Sequence, residues 1–179
     1  MTFFDCFLCL IIRYLIGGFS TAITLSILVQ HHDIRKTGSG NAGATNMLRS
    51  YGWRAGPFTF FIDVLKGFLA TYIGLRLYSE IGAVLCGTAA VIRHTYPLYY
   101  GFKGGKGIAT SLGVLFAVEW EFATICLVFW IVLVLLTRMV SIGSIMASVL
   151  YPVLVLVKGE AFSNRWIYLA FSVVLAMLD

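Results

Sequence analysis

Seven apolar runs leave this chain little choice of solvent. They cover roughly Phe7–Val29, Pro57–Tyr78, Ile81–Tyr100, Ile108–Val118, Phe122–Thr137, Ser141–Val157 and Trp166–Leu178. A bilayer crossing takes about 20 apolar residues, so most of these runs approach crossing length, and the fourth is too short to cross fully. Charged residues make up only 12% of the chain, against about 25% in a soluble domain, too few to cover a water-facing surface. The expected fold is therefore an all-α integral membrane protein. It is a bundle of about seven transmembrane helices, some of them short, forming one domain over residues 1–179. The first run resembles a signal peptide only superficially, because Arg13 interrupts it and no small-residue cleavage site precedes a soluble domain. No internal repeat or low-complexity tract is present.

Orientation follows from the charges between the runs. Taken alternately, the gaps place Arg35, Lys36, Arg49, Arg54, Arg93, Lys103, Lys106 and Arg138 on one side. Only Arg76, Lys158 and Arg165 fall on the other, with Asp5, Glu80, Glu119, Glu121 and Glu160. The positive-inside rule puts the richer side in the cytoplasm and the N-terminus outside. The net charge of +5 is thus explained by topology and by an anionic ligand, and does not imply nucleic acid.

Two polar stretches interrupt this oily chain, Thr37–Arg49 (TGSGNAGATNMLR) and Gly101–Gly107 (GFKGGKG), and both fall on the cytoplasmic side. Nine of the 18 glycines lie in the windows Gly38–Gly56 and Gly101–Gly107. Glycine permits positive φ and close approach of a ligand to the main chain, and successive exposed N–H groups form a nest for an anion. Ser39, Asn41, Thr45 and Asn46 add neutral donors beside Gly40. Arg49 adds a planar fork suited to phosphate, and Lys103 and Lys106 add mobile point charges. One such loop is commonly only a turn whose cations set topology. Two on one face describe a phosphate site built twice. Neither is a Walker A loop, because Lys106 is followed by Gly107 rather than Ser or Thr, which argues against a nucleotide triphosphatase.

The stretch DIRKTGSGNAGATNMLRSYG (Asp33–Gly52) resembles the first motif of the bacterial acyl-phosphate:glycerol-3-phosphate acyltransferases, the PlsY family. HTYPLYYGFKGGKGIAT (His94–Thr110) resembles the second. Asp63, Lys66 and Gly67 in FIDVLKG match the family between them, and the similarity runs from about Tyr14 to the end of the chain. The resemblance implies a bacterial inner-membrane, multi-pass enzyme with seven helices and its N-terminus out, in agreement with the charge pattern. It also implies transfer of a fatty acyl group from acyl phosphate to the 1-hydroxyl of glycerol 3-phosphate. The products are lysophosphatidate and inorganic phosphate, at the first step of phospholipid synthesis. The partners are those two substrates and membrane lipid, with no obligate protein partner. Acyl phosphate is already activated, so no cofactor and no metal is required.

By the same resemblance, Ser39, Arg49, Lys106 and Ser141 bind phosphate, Thr45 and Asn46 shape the first loop, and the amides of Gly104, Gly105 and Gly107 hold the departing phosphate. Lys106 and His94 are the catalytic candidates. Two assignments stay open for the general base, His94 and the substrate's own phosphate; His94 has a suitable ordinary pKa but, close before Pro97, could equally support the loop. The family's third motif, a His/Arg-Asn-Ile-Arg-Leu stretch, is expected beyond Asp179, so the site is two-thirds represented.

The remaining candidates are weaker. His31 and His32 read as interfacial. They and His94 lack an Asp five residues on, the signature of the unrelated glycerolipid acyltransferases. Cys6 and Cys9 lie within an apolar helix, and Cys86 and Cys126 in other spans, which gives no disulfide framework. Asp63 and Lys66, three apart on one helix, suit a pair, facing the bundle or a wet cavity because charge inside a span is costly. The alternative function is a small membrane transporter or channel for phosphate or another anion.

Overall fold

The structure, a computed structural model, describes residues 19–158 together with Leu169 and Val173. Most of the expected Trp166–Leu178 run lies outside the described residues, as do the start of the first run and Asp5, Cys6, Cys9, Arg13, Glu160 and Arg165. Among the described residues every regular element is helical.

The first described helix, α1, spans Thr21–Gln30. The Ser20 side chain caps its start, and His31, in a left-handed conformation at φ 53°, ends it. The His31 and His32 amides close the last turn on Ile27 and Ser26, so these two histidines mark a helix end. A short 3-10 turn at Ile34–Lys36 follows, then α2 at Ala44–Tyr51.

The next helical stretch, α3, covers Ala55–Thr95, but it is not a straight rod. Lys66 Nζ lies 2.6 Å from His94 Nδ1, whereas a straight helix would hold residues so far apart in sequence about 42 Å from each other. The reversal falls at Ser79, whose backbone is left-handed at φ 58°. Beside it Gly74 and Gly82 pack so closely that a methyl group on Gly74 would strike the Gly82 carbonyl. The two limbs correspond to the separate apolar runs Pro57–Tyr78 and Ile81–Tyr100.

Helix α4, Ile108–Val118, coincides with the short fourth run. At about 1.5 Å per residue it is far shorter than the roughly 30 Å hydrocarbon layer. It lies against α3 at two places where only glycine fits, Gly67 against Thr110 and Gly113 against the Val64 carbonyl. Small residues let helix backbones approach in this way. Helix α5, Trp120–Thr137, begins at once and stops at Arg138, also left-handed at φ 56°. Helix α6, Val140–Lys158, packs on α5 through Phe122, Cys126, Tyr151 and Val155.

Among the described residues three segments are long and apolar enough to cross a membrane, Ala55–Leu77, Trp120–Thr137 and Val140–Val157. Their outer faces suit a lipid solvent. Leu135, Leu136 and Val157 keep 74%, 76% and 77% of their surface exposed, acceptable against lipid tails and unfavourable in water.

Candidate active site

The first loop is organised from within. Asn46, on the inner face of α2, is 2% exposed. Its Oδ1 accepts the Ser39 N–H at 3.0 Å, and its Nδ2 reaches the carbonyls of Thr37 and Asn41 at 3.0 Å and of Ile34 at 3.3 Å. The chain can wrap this amide because Gly38 adopts φ +57°, and a methyl group there would collide with Asn46 Oδ1. One consequence is a division of labour along α2. Asn46 and Met47 face inward, while Thr45 and Arg49, one turn apart, face out. Ser39 and Gly40 are exposed and Asn41 half-buried. Asn46 therefore shapes the loop, and its hydrogen-bonding capacity is spent on the chain itself.

The second loop is organised from outside. It leaves α3 through buried Pro97, makes a 3-10 turn at Leu98–Tyr100, and returns through Gly101 and Phe102, both at positive φ. The Gly104 and Gly105 amides then donate to the carbonyls of Thr95 and His94, each at 3.1 Å. Those two amides, expected to hold a departing phosphate, are instead engaged in fastening the loop to the end of α3. Gly107, at φ 89°, starts α4, and the first-turn N–H groups of a helix have no partner within the helix. Lys103 and Lys106 are exposed.

The two loops meet. A methyl group on Gly105 would crowd both the Ala42 carbonyl of the first loop and His94 Nε2. Arg35 Nη1 donates to the Tyr100 carbonyl at 2.6 Å, while its Nε and Nη2 grip the Asp33 carboxylate at 2.7–3.0 Å. That grip holds the Asp33 carboxyl below the usual carboxylate range. The Tyr100 hydroxyl pairs with Thr24 Oγ1 at 2.8 Å, and the Tyr100 ring packs on Ala22, Ile23, Ile34, Ala42 and Met47. Beneath the junction lie Asp63, 1% exposed, and His94, 5% exposed. Lys66 Nζ is 2.7 Å from Asp63 Oδ1, and Thr21 Oγ1 donates to the same oxygen at 3.0 Å.

Arg49, Lys103 and Lys106 are exposed. Arg35 pairs with Asp33 and Lys66 with Asp63, and His94 Nδ1 lies 3.7 Å from Asp63 Oδ1; none of these contacts involves Arg49, Lys103 or Lys106. No group of acidic, Cys and His side chains suited to a metal occurs among the described residues. Ser141 stands exposed in the first turn of α6, outside the hydrogen-bond network of the two loops.

Residues 7–178 match the family model described as glycerol-3-phosphate acyltransferase. A glycerol-3-phosphate acyltransferase of Finegoldia magna is 47% identical over 139 residues, 78% of this chain and 70% of the relative. Another, from Thermoanaerobacter pseudethanolicus, is 43% identical over 168 residues, 94% of this chain and 83% of the relative. The chain belongs to the glycerol-3-phosphate acyltransferase family. Two crystal structures of the family member PlsY (YgiH), an integral membrane glycerol 3-phosphate acyltransferase, share its fold. The glycerol 3-phosphate form superposes with a TM-score of 0.88 at 35% identity, covering 97% of this chain and 86% of that one. The lysophosphatidic acid form gives 0.85 at 32% identity, covering 97% and 85%.

Within this acyltransferase, sequence reasoning missed two things. Arg35 and Lys36 stood out only as topology-setting cations, yet Arg35 ties one loop to the other. Asp63 and Lys66 were expected to pair and do so, but the third partner, His94, enters only through the hairpin at Ser79.

Proposed function

We propose that the two loops form one active site. It transfers an acyl group from acyl phosphate to the 1-hydroxyl of glycerol 3-phosphate. The observation that carries this reading is the inter-loop contact, Arg35 Nη1 to the Tyr100 carbonyl at 2.6 Å; it supports assigning the exposed Arg49 of one loop and the exposed Lys106 of the other to a single pair of substrates. In the reaction the hydroxyl oxygen attacks the acyl carbonyl, a new ester bond forms and the acyl–phosphate C–O bond breaks. Inorganic phosphate leaves and lysophosphatidate remains.

Each residue then takes a task. Arg49, with Ser39, Gly40, Asn41 and Thr45 nearby, receives one phosphate; Lys103, Lys106 and the α4 start at Gly107 receive the other; Ser141 adds a donor as the substrates close the site. Lys106 stabilises charge that develops on the acyl oxygen and leaving phosphate, a role worth roughly 3–4 kcal/mol for a well-placed donor. His94 is better suited to support than to base catalysis. The Lys66 ammonium can only donate, so His94 Nδ1 accepts, and the proton of this assigned tautomer sits on Nε2, leaving no free basic nitrogen. The attacking hydroxyl's proton passes to substrate phosphate instead. The acyl tail is assigned to a shallow apolar cleft lined by Phe60, Ile108, Leu112, Leu115, Leu127 and Trp130, whose lining includes Ile108, the residue after Gly107.

The site faces the cytoplasm across the inner membrane of a bacterial cell, with the N-terminus outside. Purified enzyme supplied with acyl phosphate and glycerol 3-phosphate should yield lysophosphatidate by mass spectrometry, and none with an acyl thioester as donor. Cysteine labels at Ser39 and Gly104 should both react from the cytoplasmic side. Labelling from opposite sides, or equal use of the thioester, would overturn the reading.

A further inference from the structure

A buried ion pair in a membrane helix needs a reason. Asp63 is 1% exposed, and taking its charge out of water costs several kcal/mol unless partners replace the lost hydration. Here two do so, Thr21 and Lys66, and through Lys66 they join a chain that runs through the molecule. Thr21 of α1 donates to Asp63 Oδ1 at 3.0 Å; Lys66, one turn along α3, donates to the same oxygen at 2.7 Å. Lys66 also reaches His94 Nδ1, on the other limb of α3, at 2.6 Å. From His94 the chain continues into the second loop by two routes. The His94 carbonyl accepts the Gly105 amide at 3.1 Å, and the opposite edge of the imidazole fills the space where a side chain on Gly105 would stand. Lys106 is the next residue.

We infer that Asp63 and Lys66 are positioning residues: they fix the His94 ring against Gly105 and so set the path of the main chain that presents Lys106 to acyl phosphate. A pair serving only to pin the hairpin would require neither the imidazole of the other limb nor the glycine that it abuts. The geometry supplies both, and the ring is locked at each edge, by an ammonium on Nδ1 and by the loop at Nε2. The inference rests on the assignment of Gly101–Gly107 to acyl phosphate.

Steady-state kinetics on the full chain, with melting temperature measured in parallel, test it. The double variant Asp63→Asn, Lys66→Met removes both charges without orphaning either. It should raise KM for acyl phosphate about 10-fold or more and leave KM for glycerol 3-phosphate within about 2-fold, the pattern of a disturbed binding loop for one substrate. His94→Leu should do the same, and His94→Asn, which keeps an acceptor for Lys66, should recover much of the loss. Gly105→Ala approaches the contact from the loop side and should reproduce the selective rise in KM even where a core variant fails to fold. A lowered melting temperature with both KM values unchanged would mean that the cluster only pins the hairpin, and equal kinetics of His94→Leu and His94→Asn would also overturn the inference. Lys106→Ala separates the two claims. Normal activity in it refutes the loop assignment, whereas lost activity there, with unchanged KM for acyl phosphate in the Asp63, His94 and Gly105 variants, refutes the positioning role alone.

Discussion

The two glycine-rich loops look alike in sequence and are held in opposite ways. Thr37–Asn46 wraps a side chain of its own, the Asn46 amide, which accepts one N–H and donates to two carbonyls of the same segment, and reaches a third at Ile34 just before it. Gly101–Gly107 has no such hub. It hangs from the α3 carbonyls of His94 and Thr95, and behind them from a cluster assembled by a helical hairpin. The first loop is stabilised by short-range bonds within itself, and the second hangs from His94, whose ring is in turn held by Lys66, 28 positions earlier in the chain. Glycine content alone therefore says where a chain can bend around an anion, and the support for that bend must be found separately.

The largest effects should erase the difference. Arg49→Ala and Lys106→Ala each remove a charged phosphate contact at the reaction centre and should each lower kcat/KM at least about 100-fold. Arg49→Lys should restore only part, because a point charge does not replace the guanidinium fork. Near-normal turnover in either alanine variant would remove that loop from the site.

Next come substitutions of the supports. Asn46→Ala strands buried backbone groups, at about 1–3 kcal/mol for each one left unsatisfied. It should lower the melting temperature and cut activity about 10-fold or more, with the damage confined to the first loop. Hydrogen exchange would show faster exchange at the Ser39 amide and unchanged protection at Gly104 and Gly105. Equal loosening of both loops would mean that they are one unit. Arg35→Lys should have a smaller effect, roughly 3- to 10-fold in kcat/KM, since lysine cannot grip Asp33 bidentately and still reach the Tyr100 carbonyl. An effect as large as that of Lys106→Ala would place Arg35 in contact with substrate.

The smallest effect concerns pH. A carboxyl held below its ordinary value of 3.8 contributes stability that is complete above that value and is lost as pH falls through the lower, folded-state value. Asp33→Asn should therefore lower the melting temperature by a nearly constant amount above about pH 5, and the gap to the parent should shrink only as the pH drops below 4. A gap that closes near pH 6 would assign the titration to another group.

The first loop's support lies closer to what spacing can reveal than the second's, for a physical reason. Apolar runs are legible because lipid tolerates no interruption, and so Ile108–Val118 is found to the residue. The pairing of Asp63 with Lys66 follows from helical spacing. The inward turn of Asn46 would follow from the same spacing once the start of α2 was known, but Gly43 caps that helix without a side-chain bond and so gives no signal. His94 meeting Lys66, and Arg35 meeting the Tyr100 carbonyl, depend on a chain reversal at Ser79 and on backbone atoms that have no residue identity. No spacing rule encodes contacts of that kind.

Phosphate release under single-turnover conditions, with and without glycerol 3-phosphate, tests most directly whether two differently supported loops make one site. The account predicts rapid release from acyl phosphate only when both substrates are present, and loss of that release in both Arg49→Ala and Lys106→Ala. Rapid release without glycerol 3-phosphate, unaffected by Arg49→Ala, would show that the second loop works alone and would contradict the account.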